Sequence, residues 1–282
     1  MNYPDIMKAK KAFTHNGVFH ADDVFSSALL LLLNPAIKIE RGSVVPGQYD
    51  GIVFDIGAGQ FDHHQAGRRI RGNGIPYAAL GLLWEAYGYL VLENEDARQF
   101  DENFIQPLDE SDNTGKYHVL AQCVSERNTQ WNESDADETE RFEGAVAWAK
   151  QLLEAKFRAI RARREAFVQV RIWMQGQSGS TLWLHKAMPW KEAVQGTEFL
   201  YVCYPSARGG YVIQAVPKDG SELILKKPFP AEWCGKTSEE LRTLTGIETF
   251  SFCHHSGFLC VADTREDANK VAKAAVSRCS QV

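Results

Sequence analysis

The chain has 282 residues, a length that suggests about two domains, and it is 44% hydrophobic, 24% charged and 11% aromatic. That composition belongs to a globular protein with sizeable cores and excludes a largely disordered chain. A formal net charge of -5 excludes a generally basic nucleic-acid coat, although residues 1–164 carry 18 basic and 24 acidic side chains and the remainder 13 and 12.

In chain order, residues 12–15 read as a short strand that breaks at the polar Asn16–Gly17. An apolar helix is expected from Asp22 to Leu33, stopped by Asn34–Pro35. The run 51–57 reads as a buried strand with Asp55 near its end. Apolar strands separated by helices indicate a mostly parallel sheet covered on both faces. Helices are expected over 77–92 and 95–108. The acidic stretch 133–143 reads as a loop opening a long helix that reaches about Val170 and carries Arg158, Arg161, Arg163 and Arg164 as a solvated face.

Beyond it the texture becomes short strands: 182–185, then 199–204 paired with 211–216, then 249–253 with 258–261. Ser238 is the expected N-cap of a helix ending at Gly246, and a last helix starts at Thr264. The expected organisation is an α/β N-terminal domain over 1–150, then a linker helix and a smaller α+β domain over 151–282, with the boundary inside the long helix. Six cysteines with no C-x-x-C pair read as reduced thiols. The start of the chain lacks an apolar signal core, and the longest aliphatic run is too short to cross a bilayer, so a cytoplasmic protein without membrane attachment is expected.

Chemistry concentrates where strands end or helices begin. His15, His20, Asp22 and Asp23 fall within nine residues at a strand-to-helix junction. Imidazole nitrogen and carboxylate oxygen are the donors that Mn²⁺, Zn²⁺ and Fe²⁺ take. A helix N-terminus attracts Asp on its own account, which explains the carboxylates but not the histidines. Asp55 sits at a strand's carboxyl end, where sites gather in α/β sheets, though a lone Asp there also forms turns. In Asp62–His63–His64, adjacent side chains of an extended backbone point to opposite faces, so one histidine would ligate while its neighbour faces substrate. Asp109 and Asp112 are three residues apart and share a face on a helical turn. Four such elements at loop edges, rich in oxygen donors, favour a pair of divalent cations bridged by one carboxylate. Such a pair clamps a phosphoryl oxygen and generates a hydroxide nucleophile near neutral pH.

The ordered set resembles the DHH phosphoesterase superfamily and, within it, the Myg family of metal-dependent exonucleases, named for melanocyte proliferating gene. The resemblance rests on T-H-N-G-x-F-H-x-D-D at 14–23, V-F-D-I-G at 53–57, D-H-H-Q at 62–65 and D-x-x-D-N at 109–113. It continues with P-W-K-E at 189–192, Q-A-V-P-K at 214–218 and H-x-S-G-F at 254–258. It implies a DHH-like N-terminal domain carrying two metals, most simply Mn²⁺, and a C-terminal domain that binds substrate. His15 and His20 would hold one metal and Asp22 the other, with Asp23 as the alternative to Asp22. Asp55 would bridge, His63 complete a shell and Asp112 supply the last carboxylate. His64 would stand at the substrate phosphate or leaving group, and Asp62 would orient a histidine. In the C-terminal domain, His254, Ser256 and Gly257 would approach a phosphate, with His255 either a further contact or a surface residue. Trp190 and Lys191 would offer a stacking face and a charge, and Lys218 and Arg208 would anchor phosphate. Asn128, Trp131 and Asn132 match the family's N-x-x-W-N stretch without an assigned physical role.

The expected activity is metal-dependent phosphodiester hydrolysis, a 3′–5′ exonuclease acting on RNA or short oligonucleotides. The alternatives are a pyrophosphatase or a phosphoesterase for nucleotides or cyclic dinucleotides, and a non-catalytic nucleic-acid-binding protein. Oligomeric state is left open, a homodimer included.

Overall fold

The computed structural model describes residues 3–133 and 137–278, which divide into two compact units, Met1–Ile160 and Arg161–Val282. The fold is α/β. In the first unit, strands β1 (Lys11–His15), β2 (Lys38–Gly42) and β3 (Ile52–Val53) form a parallel sheet in the order β2-β1-β3. Parallel neighbours need crossovers, and α1 (Ala21–Leu33) supplies the one between β1 and β2. Asn34 ends α1 as expected, and its side-chain amide donates to the carbonyls of Ile6 (2.9 Å) and Ala9 (2.8 Å). Ala12 and Ile52 turn to the main core with Val24, Phe25, Leu29 and Leu83, whereas the Phe13 ring meets Tyr49, from the β2–β3 connection, edge-on at 5.4 Å.

The expected helix over 77–92 is α2 (Ala79–Tyr87) followed by a 3₁₀ turn, Gly88–Leu90. The one expected over 95–108 runs further: α3 (Asn94–Phe100), a π turn (Asp101–Ile105) and α4 (Gln106–Thr114), closed by Gly115 at φ 72°. Asp109 and Asp112 therefore lie inside a helix. Two elements escaped the sequence reading. Strand β2 lacks an apolar run, reading Lys-Ile-Glu-Arg-Gly, and α5 (Val119–Ser125) is only seven residues long. The long helix α6 spans Glu138–Met174, and its arginines at 158, 161, 163 and 164 are exposed. Of the acidic stretch 133–143, residues 134–136 lie outside the described residues, as does Cys279. The five described cysteines are free thiols.

The second unit is built on a mixed sheet, order β4-β5-β6-β8-β7, from β4 (Thr181–Trp183), β5 (Tyr201–Pro205), β6 (Tyr211–Ala215), β7 (Phe250–Cys253) and β8 (Leu259–Ala262). Only β4 and β5 are parallel. Period-two alternation sends Tyr201, Cys203, Ile213, Cys260 and Ala262 to a core shared with α7 (Ser238–Thr245) and α8 (Arg265–Ser277). Val202 and Val216 face the other way, onto Val170 of α6, Trp190 and Val194. Thr237, not Ser238, caps α7: its hydroxyl accepts from Glu240 N–H while the Glu240 carboxylate accepts from Thr237 N–H at 2.9 Å. That reciprocal pair needs Glu three residues after the cap, a spacing Thr237 has and Ser238 lacks. The last helix, expected from Thr264, begins at Arg265 with Thr264 as its N-cap. Among the described residues, no helix is long and apolar enough to cross a membrane.

One contact couples α2 to α4. Asp109 is fully buried, accepts from Gly81 N–H at 3.1 Å and pairs with Arg71 Nη2 at 2.7 Å. A Cβ at Gly81 would overlap the Asp109 carboxylate. Gly→Ala inside a helix ordinarily stabilises by about 0.5–1 kcal/mol. Gly81→Ala is expected to do the opposite, lowering stability by about 2 kcal/mol in urea denaturation, because overpacking outweighs propensity. A variant more stable than the parent would sink this account of the α2–α4 contact.

Candidate metal centre

Three chain segments converge at the carboxyl ends of β1 and β3. At the first, β1 delivers His15, whose Nδ1 lies 3.0 Å from the Asn16 carbonyl. The tautomer that donates there leaves Nε2 free to ligate. Nε2 lies 3.3 Å from Asp23 Oδ2 and 3.2 Å from Asp55 Oδ2. The loop to α1 is held from two sides. Arg41, on β2, donates to the carbonyls of His15 (3.0 Å) and Gly17 (2.9 Å). Asn128 clamps Phe19 with both ends of its amide: Oδ1 accepts from Phe19 N–H at 2.9 Å and Nδ2 donates to Phe19 O at 2.8 Å. That clamp is the physical role of the N-x-x-W-N stretch at its first residue; Trp131 is exposed.

His20 is the N-cap of α1, and its N–H donates to Asp23 Oδ1 at 2.9 Å. Asp22 and Asp23 occupy the first turn, where the helix dipole favours negative charge. Adjacent on a helix, they point in different directions. Asp23 faces His15, and Asp22 Oδ2 lies 3.5 Å from His63 Nε2.

The second segment follows β3. Asp55 adopts φ 58°, a left-handed conformation that Asp tolerates better than most residues, and so turns the chain back at once. Its N–H donates to Phe61 O at 2.9 Å. The loop between is closed by Asp62, which accepts from Ala58 N–H (2.7 Å), His64 N–H (3.0 Å) and His64 Nδ1 (2.9 Å). Burial alone would raise the Asp62 carboxyl, but these bonds together hold it below its usual range. His63 Nε2 contacts Asp55 Oδ1 at 3.0 Å and Asp112 Oδ2, from α4, at 3.4 Å.

The sequence-derived expectation that His63 and His64 face opposite ways does not hold. Their rings lie side by side with centroids 4.1 Å apart, and His64 Nδ1 is 3.6 Å from Asp55 Oδ1. The reason is local: Asp62 accepts from both the backbone N–H and the ring Nδ1 of His64, which ties that ring back to its own segment.

Among the described residues, three sets bring ligand atoms within 4.8 Å of one another: His15–Asp23–Asp55, Asp55–His63–His64 and His20–Asp22–Asp112. Asp55 belongs to two of them. His15 and His20, expected to share a metal, fall in different sets, because one ends a strand and the other caps the helix after the loop. Asp22 and Asp23, treated as alternatives, both belong to the cluster. Asp109, three residues from Asp112, is bound to Arg71 and Gly81 instead.

The donors fit divalent cations on two grounds. Both oxygens of Asp22 and Oδ2 of Asp23 are buried without a hydrogen-bond partner, a state that native interiors rarely leave unexplained. The charge is also unbalanced. Burial and then Asp22 push Asp23 well up, and the same two causes push Asp112 up to about 8. The hydrogen bond to Asp55 raises His15 to about 9. His63 reaches about 11, the Asp22 and Asp55 carboxylates overcoming the burial that would lower it. Asp55 falls to about 2, its contacts with His15 and His63 outweighing its burial. Protonated imidazoles thus supply the positive charge that ligated cations would bring.

A cavity of 990 Å³ opens beside the cluster, its wall including His63, His64, Asp112, Arg68, Lys116 and Tyr117. In the second unit, a separate 520 Å³ cavity is lined by Lys191, Lys218, Arg163 and Tyr204. Trp190 also touches it but is only 4% exposed and packs with Leu182, Val194 and Val202, so its ring is core rather than a free stacking face. His254, Ser256 and Gly257 form the β7–β8 turn. There Ser256 N–H donates to His254 Nδ1 (3.2 Å) and Gly257 N–H to His254 O (2.8 Å). The turn's own bonds therefore take the N–H groups expected to meet a phosphate. Gly257 takes φ 65°, and its packing is tight as well: a Cβ would lie 3.2 Å from Phe229 O. His255 and Arg208 are exposed.

An α/β fold with a buried His/Asp cluster at the ends of its parallel strands is thus the class of protein the chain defines. Residues 11–276 match the family model MYG1_exonuc, described as "Uncharacterised protein family (UPF0160)", and the chain belongs to that family. It is 27% identical to the MYG1 exonuclease of Homo sapiens over 97% of this chain and 87% of that protein. Identity is 27% to the MYG1 protein of Dictyostelium discoideum (90% and 93% covered) and 25% to that of Chlamydia pneumoniae (92% and 94%).

The charge balance gives a linkage with a definite sign. Ligation needs neutral His15 and His63 and ionised Asp112, all held protonated or partly so at about pH 7 without a cation. Mn²⁺ binding to metal-free protein should therefore release protons, and affinity should rise with pH. Calorimetry in two buffers of different ionisation enthalpy measures the release. Proton uptake, or none, would contradict the arrangement described.

Proposed function

We propose that the chain is a metal-dependent phosphodiesterase that removes nucleotides from the 3′ end of RNA or short oligonucleotides, with Mn²⁺ as the cation. The observation that carries the reading is the set of buried carboxylate oxygens that make no hydrogen bond, grouped with histidines around Asp55. The human relative's name, MYG1 exonuclease, agrees with it. His15, Asp23 and Asp55 would hold one cation, and His20, Asp22 and Asp112, with His63 beside them, would hold the second. Bound there, divalent cations supply Lewis-acid activation of water and of a phosphoryl oxygen.

The chain's own residues do the rest. Asp62 accepts from His64 Nδ1–H, which fixes the ring and leaves the Nε2 lone pair to take a proton from the attacking water and pass it to the leaving oxygen. The His64 side chain is 61% exposed at the cavity wall, within reach of a bound strand. Arg41 and Asn128 keep the His15–His20 loop in place through bonds to its backbone. Lys191 and Lys218, which line the cavity of the second unit, would contact substrate phosphate.

The test is hydrolysis of a 5′-labelled RNA by metal-stripped protein with Mn²⁺ restored, inorganic pyrophosphate being run in parallel. A Mn²⁺-dependent ladder that shortens from the 3′ end is expected. Phosphate release from pyrophosphate without RNA cleavage would replace the substrate, and silence on both would remove the catalytic reading. His63→Ala should lose cation and activity together. His64→Ala should lower turnover by about 100-fold with Mn²⁺ content retained. Lys191→Ala should raise KM more than it lowers kcat; an unchanged KM would take Lys191 out of the site.

A further inference from the structure

The cavity beside the cluster has a wall that the metal chemistry does not use. It is formed by the segment after His64 and by the connection between α4 and α5. Arg68 Nη1 donates to Asn113 Oδ1 at 3.2 Å. Asn113 is itself fixed, its Nδ2 donating to the carbonyls of Tyr77 (3.2 Å) and Asp109 (2.9 Å). A neutral amide one residue from Asp112 therefore aims the guanidinium. Among the described residues no carboxylate lies within ion-pair distance of Arg68, whereas neighbouring Lys116 is paired to Glu110 at 2.7 Å. A guanidinium held by an amide keeps its charge and most of its donors for a phosphate.

Tyr117 lines the same cavity and is 74% exposed, and among the described residues no aromatic ring stacks on it. A single exposed ring is ordinary by itself. A ring and an uncompensated guanidinium on the wall of one cavity of 990 Å³, which His63, His64 and Asp112 also line, supply what binds single strands: a stacking face for a base and a cation for the backbone.

We propose that this wall is a nucleotide subsite in which Tyr117 stacks a base and Arg68 receives a phosphate oxygen, so that the ligand is a single-stranded nucleic acid. The inference rests on the phosphodiesterase reading of the adjacent cluster and narrows its substrate: pyrophosphate has no base for Tyr117 to stack.

The test measures binding by the full chain, with Mn²⁺ present, of a 5′-fluorescein hexa-adenylate RNA whose phosphorothioate linkages resist cleavage. Tyr117→Leu and Arg68→Gln should each raise Kd about tenfold or more, while Tyr117→Phe stays within about twofold of the parent. Mn²⁺ affinity should match the parent in all three, since none of these side chains belongs to the cation sets. Parental Kd in Tyr117→Leu and Arg68→Gln, with the parent binding and cleaving RNA, overturns the subsite and leaves the phosphodiesterase standing. A Tyr117→Leu variant that loses affinity for inorganic pyrophosphate as much as for RNA overturns base stacking. A parent that binds no RNA overturns both the subsite and the RNA reading of the cluster.

Discussion

Burying carboxylates together is the constraint on which the first unit is organised. Asp22, Asp23 and Asp55 are nearly inaccessible to water, and Asp112 lies beside them. An interior charge is tolerated only when it is paired or bound to a cation. His15 and His63 partly neutralise the group, yet three carboxylate oxygens keep no hydrogen-bond partner. Such an assembly destabilises the fold unless binding compensates, and the surrounding architecture has the form of a scaffold holding it in register. The left-handed turn at Asp55, the Asp62 clasp and the Asn128 clamp each fix one of the converging loops.

The parallel sheet explains why the loops converge. Parallel strands all end on the same side, so side chains at the ends of β1 and β3 meet without a long excursion of the chain. The first turn of α1 adds two carboxylates at the positive end of a helix, where the dipole offsets part of the repulsion. Asp112 enters from α4, a helix seated against α2 through Asp109, Gly81 and Arg71. Asp109 and Asp112 thus have separate tasks three residues apart, one anchoring the helix and the other facing the cluster.

The second unit is held by two cores on opposite faces of one sheet, and its polar candidates prove less uniform than their sequence motifs suggest. Lys191 and Lys218 border a cavity, but Trp190 beside them is a core side chain. The His254–Gly257 motif encodes a tight turn whose glycine meets a backbone carbonyl that would crowd any Cβ. A short motif rich in His, Ser and Gly is read equally well as a ligand loop or as a hairpin. The difference lies in which hydrogen bonds its N–H groups already make.

The sequence by itself determined the elements with strong local signals: the apolar helix ending at Asn34, the hairpins of the second unit and the long polar helix, whereas the strand expected over 51–57 is only Ile52–Val53 because the chain turns left-handed at Asp55. It also determined the donor types of the cluster, since His and Asp at strand ends can be read from order and spacing alone. It could not show β2, whose Lys-Ile-Glu-Arg-Gly has no alternation, nor therefore Arg41, which braces the His15 loop from that strand. Only the tertiary structure decided which donors meet. Asp22 and Asp23 are equivalent in sequence but diverge by about 100° on a helix. His63 and His64 would diverge in a strand but are drawn side by side by Asp62. Arg68, Asn113 and Tyr117 carry no shared motif because their partnership is made across the chain, by the packing that brings α4 and its following loop to the end of β3. Spacing fixes what a segment can offer, whereas the partner it faces is set by the backbone torsions and packing of everything between.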